Sequence, residues 1–131
     1  MSAQSAEFIF CDNLSRFSEG NEVIARVPAG VANRDQLFDV LSRELSLPPY
    51  FGRNWDALSD CLRDLSWIKR RRVIIAHDAV PNLDAITLRG YLDVLAECAS
   101  DWKSDEEHEL LVTFPKRAEA EIRGIVKGST L

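Results

Sequence analysis

The sequence predicts an α/β protein with a three-stranded parallel sheet and helices packed on it. Three short runs have the length and the apolar or β-branched content of strands, at 22–27, 72–76 and 109–114. Stretches with helical periodicity separate these runs, and strands joined by helical crossovers favour parallel pairing. The 131 residues suffice for one domain with its own core.

The first strand, EVIARV at 22–27, ends at Pro28 and Gly30, which interrupt regular structure. A helix follows, capped by Asn33 or Asp35 and continuing to about residue 45. Its apolar residues recur at steps of three and four, so they form one face that packs on the sheet. These residues are Leu37, Val40, Leu41 and Leu45.

A second helix begins at Asn54, a residue type that caps helix N-termini, and ends near residue 65. The connector before it, SLPPYFG at 46–52, is stiffened by two prolines. The helix is expected to bury a stripe formed by Leu58, Cys61, Leu62 and Leu65.

The remaining elements complete the crossover pattern. RVIIA at 72–76 is typical of a central strand buried on both faces. A third helix follows Pro81 and Asn82, and the last strand, ELLVTF, stops at Pro115. The third helix is expected to bury Leu88, Leu92, Leu95, Ala99 and Trp102.

The two ends extend beyond this pattern. EFIFC at 7–11 has the composition of a short strand, 12–21 has that of a loop, and 118–126 that of a short helix. The predicted organisation is an N-terminal extension at 1–21, a domain at 22–114 and a C-terminal extension at 115–131.

Charge and composition narrow the function. A net charge of −5 disfavours general nucleic-acid binding and permits a basic protein partner. No apolar run approaches the roughly 20 residues of a membrane helix, and residues 1–7 lack a signal-peptide pattern, so a cytoplasmic location is expected. Three cysteines without CxxC spacing argue against a disulfide framework or a zinc site and favour free thiols in or near the core. The oligomeric state is left open.

The sequence offers little for catalysis, and we expect no enzyme activity, cofactor or metal. None of the motifs GxSxG, HExxH, GxGxxG or the Walker loop occurs. His77 follows a strand and is either a site residue or, more commonly, a buried polar group. The basic run at 70–72 fits a solvated loop better than a phosphate site.

The most informative feature is a row of carboxylates on the second helix. Asp56, Asp60 and Asp64 recur every four residues, so they lie along one face at about 3.6 residues per turn. Like charges at this spacing repel, and Arg63 is expected to relieve that only partly. One interpretation is a solvated helix face. The other is a docking surface for a cationic partner, favoured by Tyr50 on the stiff loop, because rigid aromatics beside charges anchor protein interfaces.

This stretch resembles the barstar family, intracellular inhibitors of microbial ribonucleases. The resemblance covers about 22–114 and extends back through Leu41, Glu44 and Leu45 of the first helix. Its densest part has no gap and consists of Leu47, Pro48, Tyr50, Gly52, Asn54, Asp56, Ala57, Leu58, Asp60, Cys61 and Leu62.

The resemblance implies a barstar-like three-stranded parallel sheet and a binding face formed by the second helix and the loop before it. Family members insert an aromatic residue and two aspartates into the nuclease active site, and these positions fall on Tyr50, Asp56 and Asp60. A glutamate of the later helix falls on Glu97. Ser59 stands where the best-known members carry a tryptophan that packs on the enzyme, which is a departure from the family pattern.

Three functions remain open at this point. The favoured one is a protein inhibitor whose carboxylates mimic RNA phosphates in a basic ribonuclease, without direct contact with nucleic acid or membrane. The second is an interaction or immunity module of the same fold with another protein target. The third is a hydrolase that uses Asp56, Asp60 and His77.

Overall fold

The computed structural model describes residues 8–17, 20–102 and 108–128. Two short 3₁₀ turns, Ser15–Phe17 and Lys116–Ala118, accompany the regular elements. The strands are β1 (Phe8–Phe10), β2 (Glu22–Val27), β3 (Arg72–His77) and β4 (Glu109–Phe114), and the helices are α1 (Arg34–Leu45), α2 (Trp55–Asp64), α3 (Ala85–Trp102) and α4 (Glu119–Gly128).

The strands form one sheet in the order β1-β4-β3-β2, and every neighbouring pair is parallel. The register places Ile24 opposite Ile74 and Val73 opposite Leu110. The three strands predicted from the sequence therefore exist and are parallel, as the crossover helices required.

The predicted number of strands was too low, because the sheet has four and not three. The additional strand, β1, lies at the edge and pairs with β4. Phe8 and Phe10 both pack against Phe114, with ring centroids 5.6 and 6.3 Å apart. β1 has only three residues and leads into a loop with a 3₁₀ turn, so it lacks the crossover helix on which the prediction depended.

The sheet and the helices together form one apolar core. Alternate residues of the strands, such as Val73 and Ile75, belong to the same apolar cluster as the buried residues of the helices. Every residue of 73–77 is buried, which confirms that β3 is a central strand buried on both faces. The apolar residues predicted for the first three helices are also buried. None of the helices in the described ranges is long and apolar enough to cross a bilayer.

The N-termini of α1 and α2 are capped as the sequence predicts. The side chain of Asn33 accepts a hydrogen bond from the backbone N–H of Gln36, at 2.9 Å. Asn54 accepts one from Ala57 in the same way, at 2.8 Å. These contacts satisfy backbone donors that the first helical turn leaves unpaired, and so they fix where α2 begins.

The two faces of α2 are expected to respond differently to truncation. Leu62 is fully buried and Asp60 is exposed. Leu62→Ala should lower the free energy of unfolding by about 2–5 kcal/mol, because it leaves a cavity. Asp60→Ala should leave it nearly unchanged or raise it slightly, because it removes repulsion from its neighbours four residues away. Urea titrations of both variants measure this, and the reverse order would contradict the assignment of the faces.

Candidate functional site

The loop before α2 turns one aromatic side chain inward and one outward. The backbone N–H of Phe51 donates to the carbonyl of Pro48 at 3.0 Å and closes a turn. Phe51 packs edge-on against Phe38 of α1, with ring centroids 5.4 Å apart. Tyr50, by contrast, is 77% exposed. The turn therefore presents the Tyr50 ring to solvent from a segment that is anchored to the core.

Arg53 ties the same loop to α1. Its backbone adopts the left-handed conformation, with φ of 56°, which is unusual for a residue other than glycine. The guanidinium lies 3.1 Å from the carboxylate of Asp39 and 3.6 Å from that of Asp35, and it donates to the carbonyl of Asp35. These contacts hold the loop against α1 immediately before α2 begins.

Trp55, the first residue of α2, packs against both α1 and α3. Its ring packs between Phe38 of α1, at a centroid distance of 5.2 Å, and Tyr91 of α3, at 5.9 Å. α3 approaches closely only because residue 90 is glycine, since an added Cβ there would lie 2.7 Å from Nε1 of the indole. Trp55 and Gly90 thus set the position of α2 relative to α3.

The carboxylates predicted to form a row on α2 point into solvent. Asp56, Asp60 and Asp64 are all exposed, whereas Leu58 and Leu62 on the opposite side of the helix are fully buried. Within the described residues, the side chains of the three aspartates make no ion pair or hydrogen bond. Their charges are therefore available to a partner.

Ser59 lies at the boundary between α2 and α3. It is half-buried, and its hydroxyl is 3.7 Å from the thiol of Cys98 on α3. The side chain therefore faces the neighbouring helix. A large ring projecting from the surface, as the family pattern has at this position, is absent here.

Glu97 of α3 is joined to α2 by Arg63. The carboxylate is 67% exposed and lies 3.5 Å from Nη2 of Arg63, whose Nη1 is 3.2 Å from Asp101. At the end of α2, the indole N–H of Trp102 donates to the carbonyl of Leu62 at 2.6 Å and holds the two helices together. The structure thus brings Glu97 beside α2, and it shows a role for Arg63 that the sequence did not indicate.

His77 is buried in the core and is not part of this surface. Nδ1 donates to the carbonyl of Thr113 at 2.9 Å, so Nε2 of the neutral ring accepts the hydroxyl proton of Tyr91 at 2.7 Å. Burial lowers the pKa of His77 to about 4, and the Thr113 carbonyl and the charge of Asp78 offset only part of that effect. Neither Asp56 nor Asp60 contacts it, so the triad of the hydrolase hypothesis does not assemble.

A cleft of about 250 Å³ opens at the carboxyl edge of the sheet, where parallel α/β proteins commonly bind ligands. Its charged side chains make one ion pair and two hydrogen bonds to the backbone. The guanidinium of Arg26 lies 3.3 Å from the carboxylate of Asp78, and Arg117 donates to the carbonyl of Asp78 at 3.1 Å. Asp12 accepts the backbone N–H of residue 116 at 3.0 Å. These groups hold chain segments together and leave α2 as the better candidate site.

The cysteines are free, as predicted, with Cys61 and Cys98 buried and Cys11 partly buried. Burial raises the pKa of the Cys61 thiol, and the charges of Asp60 and Asp64 raise it further. Burial also raises the pKa of Cys98. Both thiols therefore stay protonated at neutral pH, a state in which cysteine is a poor nucleophile.

The fold and the surface together define the class of protein. It is a small α/β protein with a four-stranded parallel sheet whose exposed acidic residues lie on a helix, beside an exposed aromatic side chain. A family model described as "Barstar (barnase inhibitor)" matches residues 24–115, which is well over half of the chain. The chain belongs to the barstar family. No curated protein matches it closely enough to count as a relative.

The close contact between Gly90 and Trp55 predicts that Gly90→Ala lowers the free energy of unfolding when Trp55 is present and raises it when Trp55 is replaced by a smaller side chain. Gly90→Ala should destabilise the protein by about 1–3 kcal/mol, because the new methyl group overlaps the indole. In a Trp55→Leu background the same substitution should stabilise by up to about 1 kcal/mol, since alanine favours a helix over glycine. A double-mutant cycle of unfolding free energies measures the coupling. Equal effects in the two backgrounds would show that the indole does not limit the approach of α3.

The burial of His77 predicts a pH-dependent contribution to stability. Below about pH 6.5 the unfolded chain protonates this histidine, whereas the native state resists protonation until about pH 4. The contribution is therefore complete above pH 6.5 and is lost as the pH falls towards 4, by up to roughly 3 kcal/mol. His77→Gln should show a correspondingly shallower loss in urea titrations at pH 7, 6, 5 and 4. Parallel pH profiles for the two proteins would contradict this assignment.

Proposed function

We propose that this protein binds a basic microbial ribonuclease and blocks its active site by placing carboxylates where RNA phosphates bind. The observation that carries the proposal is a pair of exposed, unpaired aspartates, Asp56 and Asp60, on a rigid helix beside the exposed Tyr50. The chain's membership of a family described as barnase inhibitors makes a ribonuclease the preferred partner.

The chemistry of the proposal is mimicry of phosphate by carboxylate. A nuclease of this kind holds RNA phosphates with lysine and arginine side chains. Carboxylates form short, charge-assisted hydrogen bonds with guanidinium groups, often in pairs. Because Asp56 and Asp60 have no partner within the described part of the chain, they break no internal ion pair on binding. Desolvation is then the main cost that the new bonds must exceed.

Tyr50 supplies the apolar part of the interface. Its ring is already exposed, and the turn below it is held by Phe51, so little conformational freedom is lost on binding. Tyrosine is among the residue types that contribute most to binding energy when a partner buries them. In the proposed complex this ring covers the opening of the nuclease active site.

The proposed inhibition is steric and electrostatic, with no covalent step. The net charge of −5 attracts a basic partner, which speeds encounter and makes association sensitive to salt. We further propose that the protein acts in the cytoplasm as an immunity protein and protects the cell from the nuclease.

A second candidate function is an interaction module of the same fold with a different protein target. The observation that favours it is the orientation of Ser59 towards Cys98, which leaves no large ring at a position where the family pattern has one. A target that makes its main contacts with Tyr50, Asp56 and Asp60 does not need that ring.

The mimicry proposal predicts that Asp60→Ala weakens the complex far more than it alters the free protein. Truncating one member of a desolvated charge pair costs about 2–5 kcal/mol, seen mainly in the dissociation rate. The barnase–barstar pair is itself one of the systems behind that range, so it is a general expectation and not a property of this chain. Asp56→Ala should lose as much or less, and Tyr50→Ala should weaken binding without changing its salt dependence. Surface plasmon resonance against barnase at low and high salt, with RNA cleavage measured in parallel, tests these expectations.

The matched control is Glu121→Ala, an exposed carboxylate on α4 that makes the same change in net charge. Glu109 is unsuitable as a control, because it pairs with Arg71 and with Arg72, the first residue of β3. If Asp56→Ala and Asp60→Ala bind and inhibit like the wild type, the binding face is elsewhere. If the wild type does not bind barnase or other basic ribonucleases, the second candidate function takes its place.

A further inference from the structure

β2 is an edge strand, and half of its backbone groups point away from the sheet. It ends the strand order β1-β4-β3-β2, so among the described strands it pairs with β3 alone. The carbonyl of Val27 accepts the backbone N–H of Asp78, just beyond β3. Because the backbone groups of successive residues point to opposite sides of a strand, those of Glu22, Ile24 and Arg26 point outward. Outward groups of an edge strand are the groups that another strand can pair with.

Charged side chains occupy outward backbone groups at both ends of β2. The carboxylate of Glu44 on α1 accepts the backbone N–H of Arg26 at 3.0 Å. The guanidinium of Arg70 donates to the carbonyl of Glu22 at 3.2 Å. Among the described residues, no side chain bonds to the outward groups of Ile24, which lies between them. The side chain of Glu44 is only 28% exposed, so it lies against the strand and does not extend into water.

The sequence of β2 is complementary to itself in an antiparallel arrangement. In a pair of copies centred on Ile24, Glu22 of each copy lies opposite Arg26 of the other, so opposite charges meet across the pair. In this register each outward residue exchanges both backbone hydrogen bonds with its counterpart. The N–H of Arg26 then bonds to the carbonyl of Glu22 in the second copy. Those are the same two groups that Glu44 and Arg70 occupy within one copy.

We propose that the outer edge of β2 is a self-association surface for a second copy of this chain, and that Glu44 and Arg70 keep it closed. With both side chains in place, the hydrogen bonds between Arg26 and Glu22 are blocked at both ends of the pair. The protein is therefore a monomer, and removal of the two side chains opens the edge to pairing. This inference goes beyond the proposed function and does not rest on it, because the exposed aspartates of α2 take no part in it.

The first test measures self-association by sedimentation velocity in a double variant, Glu44→Ala with Arg70→Ala, which keeps the net charge of the wild type. The wild type should sediment as a monomer. The double variant should dimerise, with a dissociation constant at least about tenfold below that of any wild-type association. Glu119→Ala with Arg123→Ala is the matched control, since it removes an exposed ion pair of α4 and should leave a monomer. A double variant that stays monomeric at every concentration would overturn the inference.

Charge reversal in the double variant tests the register of the pair. Glu22→Lys places like charges opposite each other at both ends and should return the protein to the monomer. Adding Arg26→Glu restores opposite charges and should restore the dimer. A dimer that persists with Glu22→Lys alone would show that the copies meet elsewhere.

Amide hydrogen exchange, followed by NMR, tests the closure of the edge in the unaltered protein and so holds even if a variant fails to fold. In the wild type the amide of Arg26 should exchange about tenfold or more slowly than that of Ile24, once intrinsic rates are corrected for, because only Arg26 donates to a carboxylate. Glu44→Ala should remove that difference, whereas Glu44→Gln keeps an acceptor oxygen and should preserve most of it. Equal exchange of the two amides in the wild type would overturn the role given to Glu44.

Discussion

The packing of Trp55 between α1 and α3 is the contact on which the candidate binding surface depends. Trp55 is the first residue of α2, and its ring contacts Phe38 on one side and Tyr91 on the other. Gly90 permits this approach, since any side chain there would occupy the space of the indole. Neighbouring ring contacts continue outward to the loop and inward to the sheet, so that one aromatic series connects the surface to the core: Phe51, Phe38, Trp55, Tyr91, His77 and Phe114.

The rigidity that results is relevant to binding because the exposed residues have no other support. Asp56 and Asp60 make no contact among the described residues that would fix their direction, so their spacing is set by the helix that carries them. That helix is held by its buried leucines, by Asn54 at its N-terminus and by the indole of Trp102 at its end. A preorganised surface loses less entropy on binding. Stability and the proposed binding thus rest on different residues of the same helix.

Much of this arrangement could be predicted from the sequence, because it follows from local patterns. Asn33 and Asn54 cap the helices as expected, and the leucine spacing of α2 identifies its buried face. β1 could not be placed in the sheet, because a three-residue strand without a crossover helix gives almost no periodic signal. The ion pairs of Arg63 were also missed: Glu97 is 34 residues away, and only the packing of α3 on α2 brings it within reach.

The distribution of charge also explains why the candidate site lies on a helix and not at the sheet edge. Parallel α/β proteins usually bind ligands at the carboxyl ends of their strands. Here Asp78 at that edge is engaged by Arg26 and Arg117, and the nearby His77 is buried in its neutral form. Groups paired in this way can bind a ligand only by first giving up their internal partners. The aspartates of α2 face no such competition, whereas Glu97 does, through Arg63. Internal pairing, more than net charge, therefore separates the carboxylates that are free to meet a partner from those that are not.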